Sequence, residues 1–150
     1  MDENEALADT INDLKEHDFE NTIARINDIK ASLAKAKNVM VLLPHAFGAI
    51  DAYEMKIMHS ILARLTPLLK DPVSRPIESL PEILVSLDII AEDIDAFIMI
   101  KEKLAAGHQI RKEDSYSSLL AYENVIIALR DLTTHTSTLR TYFTSRLTKH

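Results

Sequence analysis

The sequence predicts an all-α fold: a four-helix, mainly antiparallel (up-and-down) bundle with a short extra N-terminal helix. Three observations carry this expectation. Apolar residues recur at i, i+3, i+4 and i+7 over several long stretches, the rhythm of one buried helix face. The 150 residues include only two glycines, Gly48 and Gly107, which leaves little for tight hairpins. The breakers are also concentrated, with Pro72, Pro76 and Pro81 in one segment and Gly107 in another. The length suits one domain, residues 1–150, around one core.

The first helix is expected over Glu3 to Glu16, with Leu7, Ile11 and Leu14 on one side. It is short and acidic, and marginal on its own. Asp18 reads as the N-cap of the second helix, whose apolar stripe is Phe19, Ile23, Ile26, Leu33 and Met40.

The stretch from Asn38 to Lys70 organises the chain. Its apolar stripe runs Phe47, Ile50, Ile57, Ile61, Leu65 and Leu68, and the carboxylate of Glu54 falls within it. A carboxylate in an apolar seam needs a partner or a proton, which makes Glu54 a possible buried acid. Between Asn38 and Asp51 no residue is charged, although a helix connection with Pro44 and Gly48 is expected there. Val39, Val41, Leu42 and Phe47 exceed what a small bundle end can bury, so they form one candidate binding surface.

The segment DPVSRPIESLPE reads as an interhelix loop, and Ser79 with Glu82 as a capping box opening the fourth helix, Leu80 to Ala106. That helix has a main stripe of Ile83, Leu87, Ile90, Ile94, Phe97 and Ile98. A second stripe of Val85, Ile89, Ala96 and Ile100 lies roughly opposite, with Asp88, Glu92 and Asp95 between them. Val85, Ile89 and Ile100 form the second candidate binding surface, since a helix apolar on two sides is central or has a partner. Gly107 closes the helix. Asp114 is expected to cap the last helix, whose seam is Ser118, Tyr122, Val125, Leu129, Leu132, Thr136, Leu139 and Phe143, spaced four and three apart.

Composition excludes several chemistries. There is no cysteine, hence no disulfide, thiolate metal site or thiol nucleophile. The net charge of −6 argues against general nucleic-acid binding. Aromatics make up 5%, too few for a stacking platform. Residues 1–20 carry a net −7 and residues 130–150 a net +3, so the basic tail suits an acidic partner or the chain's own N-terminus. No secretory pattern opens the sequence and no apolar run reaches the roughly 18 residues of a spanning helix, which makes the cytoplasm the default expectation. Glu-x-x-His, His-Glu-x-x-His and EF-hand patterns are missing, as is a phosphate-binding glycine loop. No metal or cofactor is expected.

Two short resemblances concern catalysis. His59 lies opposite the third stripe and resembles the exposed mid-helix histidine of histidine phosphotransfer domains, which are acidic four-helix bundles. HSILAR lacks the lysine–glycine pair that follows in that family. Arg130 to His135, RDLTTH, resembles the Arg-x4-His signature of HEPN-type ribonucleases, small all-α proteins that dimerise to place both residues on RNA. Asp131 agrees with that family's polar residue after the arginine; Ser137 stands where it often has tyrosine. On an unbroken helix five residues rotate by about 140°, so that reading needs a break at the threonines. The expectation is therefore a non-enzymatic protein–protein interaction module, an adaptor, chaperone-like or regulatory protein, acting as a homodimer or on a protein partner. HEPN-like ribonuclease and phosphotransfer protein are the alternatives.

Overall fold

The computed structural model describes residues 3–35 and 57–148. Among these the chain is helical and contains no strand. Six α-helices occur among the described residues: α1 (Glu3–Glu16), α2 (Phe19–Lys35), α3 (Thr66–Lys70), α4 (Leu80–Ala105), α5 (Lys112–Thr133) and α6 (Thr136–Thr148). One continuous hydrophobic cluster takes buried side chains from every one of them.

The α1–α2 turn is short because Asp18 caps α2, its Oδ1 accepting from the Asn21 amide at 3.2 Å. Ile11 and Leu14 of α1 are buried, as are Phe19, Ile26, Ile29 and Leu33 of α2. Of the expected stripe Phe19, Ile26 and Leu33 are buried and Ile23 is half-buried, Ile29 is added, and Met40 lies outside the described residues.

α3 follows a π-helical turn, Ile61–Leu65, in which the Thr66 amide reaches back to the Ile61 carbonyl. Pro67 is the reason. It has no N–H to donate four residues back, and its ring crowds the carbonyl there, so a widened turn relieves both. The extra residue shifts the seam: Ile57, Ile61, Leu65 and Leu69 are buried, whereas the expected Leu68 is only half-buried.

The proline-rich loop is packed, not draped. Ser74 is fully buried; its Oγ donates to the Leu68 carbonyl at 2.7 Å and lies 3.3 Å from the Tyr142 hydroxyl. The expected capping box is not formed. Ser79 sits in the left-handed region (φ 62°, ψ 20°) and makes no side-chain cap bond. The Leu80 amide bonds the Ile77 carbonyl, and this tight turn sets Ser79's backbone where its hydroxyl does not serve α4.

α4 ends as expected at Gly107 (φ 81°). The Gly107 amide bonds the Leu104 carbonyl and the His108 amide the Lys103 carbonyl, a Schellman closure. α5 starts at Lys112, earlier than the expected cap at Asp114, which lies in the first turn and pairs with Arg111 at 3.1 Å.

α4 and α5 share the most extensive helix–helix packing, and α5 also packs on α2 and α1. Phe97 stacks on Tyr122 across a short connection, so α4 and α5 run antiparallel. Glu20 meets Arg130, while Lys30 meets Glu123 and Tyr116, so α2 also runs antiparallel to α5. The expected seam of the last helix is buried from Ser118 through Leu139. Buried Ser115 and Ser118 are tolerated because their hydroxyls donate to the carbonyls of the N-cap residue Arg111 and of Ser115.

The seam continues through a break. Residues 134–135 are a turn, and α6 starts at Thr136. Thr133, Thr134 and Thr136 donate their hydroxyls to the carbonyls of Arg130, Asp131 and Thr133, three residues back in each case. Such bonds compete with the helical ladder. The Thr134 and His135 amides tighten accordingly onto Asp131 and Leu132.

Candidate functional site

The outer face of α4 is the clearest unpartnered surface among the described residues. Its core side is buried from Ile83 through Leu104. On the opposite side Val85 is 59% and Met99 51% exposed, Ala96 is exposed, and Ile89 is half-buried against the core. Val85, Ile89, Glu92, Ala96 and Met99 are spaced four and three apart, so they form one stripe on the helix. The stripe spans about 21 Å at 1.5 Å per residue.

Carboxylates border it on both sides. At 100° per residue, Asp88, Asp95 and Glu102 fall along one edge and Glu82 and Asp93 along the other, with Glu92 inside the stripe. All are exposed except Asp93, which is half-buried. Lys70 approaches Asp88 only to 3.8 Å, with both side chains 59% exposed, so it is a weak counter-charge.

Of the residues singled out from sequence, Val85 is on this surface and Ile89 is at its margin. Ile100 is buried and belongs to the chain's own core, so it contributes nothing to an outer face. Met99 takes its place. Met99 continues the four–three spacing from Val85, which is the sequence signal for it. Val39, Val41, Leu42, Phe47 and Glu54 lie outside the described residues.

Arg130 lies in the last turn of α5 and His135 in the turn that follows it. The helix does break between them, but Arg130 Nη1 donates to Glu20 Oε1 at 2.5 Å. That hydrogen bond, and then the charge of Glu20, raise the guanidinium pKa further and hold it protonated. The contact also joins the acidic N-terminal region to the basic C-terminal one. A cleft of about 460 Å³ does open beside α6, but Pro76, Ile77, Glu78, Ser137, Thr138, Thr141 and Tyr142 line it. His59 is exposed, just before the π turn, and its neighbour Ser60 shares a 2.7 Å hydrogen bond with Thr10 of α1. Among the described residues no cluster of three or more His, Asp or Glu side chains is placed to hold a metal ion, and no helix is long and apolar enough to cross a membrane.

Compared with protein-family models, with curated proteins and with solved structures, the chain matches none of them.

Proposed function

We propose that this chain is a non-enzymatic protein–protein interaction module, an adaptor, chaperone-like or regulatory protein. It is built as a four-helix, mainly antiparallel bundle with a short extra N-terminal helix and acts in the cytoplasm. The observation that carries the reading is the exposure of Val85 and Met99 on one stripe of a helix whose other side is fully engaged in the core. Val85 and Met99 recur on one stripe two heptads apart, a spacing that suits a helix laid against another helix.

The test is affinity capture with the intact chain and with Val85→Glu/Met99→Glu, followed by reconstitution with the purified captured protein. Loss of binding in the double variant, with an unchanged helical spectrum, is the expected result. Equal binding by both would remove the α4 face from the reading. The homodimer expected from sequence is a separate proposal, checked by sedimentation at micromolar concentration.

A second reading, a HEPN-like ribonuclease using Arg130 and His135, draws support from the turn at residues 134–135. Against it, the Arg130 guanidinium is engaged by Glu20 and the neighbouring cleft is lined by other residues. Cleavage of a fluorogenic RNA that disappears in Arg130→Ala and in His135→Ala would establish it. Phosphotransfer at His59 rests on that residue's exposure alone.

A further inference from the structure

Resting on the interaction-module reading, we infer that the outer face of α4 takes a basic amphipathic helix of a partner protein, with apolar residues at four–three spacing and Lys or Arg on both flanks. Val85, Ile89, Ala96 and Met99 offer a straight, one-helix-wide strip that is apolar apart from Glu92 at its middle, with Ile89 half-buried. A helix laid along it contributes matching residues every three and four positions.

The flanks choose the partner. Asp88, Asp95 and Glu102 stand along one edge, Glu82 and Asp93 along the other, and Glu92 within the stripe. Against them stand only Lys103, at the end of the stripe, and Lys70, which reaches Asp88 weakly at 3.8 Å. A helix with basic flanks satisfies both edges at once, whereas an acidic or neutral one leaves them unpaired. The same argument disfavours a second copy of this chain. Two α4 faces brought together would set carboxylates against carboxylates, and like charges across an interface select against the pairing.

The binding test uses two synthetic helical peptides with the same leucine seam, one flanked by lysines and its twin by glutamates. Each is titrated by fluorescence anisotropy against the intact chain, Val85→Glu/Met99→Glu and Asp88→Lys/Asp95→Lys. The lysine peptide is expected to bind the native chain at least about tenfold more tightly than its twin, and to weaken as salt rises. The first variant loses the lysine peptide; the second reverses the preference. Equal binding of both peptides overturns the charge-selected partner while keeping an apolar docking face. Self-association of the native chain that Val85→Glu abolishes identifies a second copy as the occupant and overturns this inference alone. Lysine-peptide binding indifferent to Val85→Glu/Met99→Glu moves the site off α4. Absence of any peptide binding or self-association removes both the inference and the reading beneath it.

Discussion

Phe97 and Tyr122 stack with ring centroids 4.3 Å apart and planes 29° from parallel, and both are fully buried. The pair fixes the level at which α4 lies against α5, because rings of this size fit only one register. Phe97→Ala is expected to cost about 3–5 kcal/mol in urea unfolding, through lost contact and the cavity left behind. A double-mutant cycle with Tyr122→Leu should isolate about 0.5–1.5 kcal/mol for the stack itself. Strictly additive single changes would show that the rings only fill space.

Two ion pairs join α2 to α5 and should behave differently. Lys30 Nζ donates to Glu123 Oε2 at 2.5 Å, with side chains only 23% and 20% exposed, and Tyr116 donates its hydroxyl to the Lys30 carbonyl at 3.1 Å. Glu123→Ala strands a half-buried ammonium and should destabilise by about 1–3 kcal/mol. Glu20 and Arg130 are 68% and 42% exposed, so Glu20→Gln should leave the urea midpoint unchanged within error at moderate salt. A large loss from Glu20→Gln would reverse this ranking.

The ends of the 71–80 loop and of α4 test the left-handed backbone. Ser79 holds φ 62° with a Cβ, whereas Gly107 holds φ 81° without one. Ser79→Gly should raise stability by about 0.5–1 kcal/mol, the relief of the left-handed penalty outweighing the entropy glycine brings to the unfolded chain. Gly107→Ala should lower it by about 1–2 kcal/mol although open space surrounds the site, because the cost is conformational. Thermal midpoints of the two variants moving in opposite directions is the expected outcome.

Legibility in the sequence followed the range of the forces involved. The seam of the last helix was readable because burial is periodic, and its spacing survives the turn at residues 134–135. Asp18 and Gly107 were readable because a cap needs one residue type at one position. Ser79 misled because a capping-box pattern says nothing of the φ that the preceding turn imposes. The π turn was missed because the proline that causes it stands beyond the residues that widen. Ile100 misled because at 100° per residue it shares the azimuth of the exposed Glu82, and only packing against the neighbouring helices buries it.

The antiparallel pairing of α4 with α5 also bears on the order in which the molecule assembles. The most extensive packing joins two helices separated by a six-residue connection, so their contacts close a short loop at small entropic cost. The contacts that seat α2 on α5 join residues 86 to 110 positions apart, as in Tyr116 with Lys30 and Arg130 with Glu20. Chain closure over that distance is rewarded only once α5 offers a surface to land on. The α4–α5 hairpin is therefore the expected folding nucleus, with α1 and α2 docking later. Native-state hydrogen exchange should find amides of α4 and α5 protected to the global limit, with those of α1 opening first.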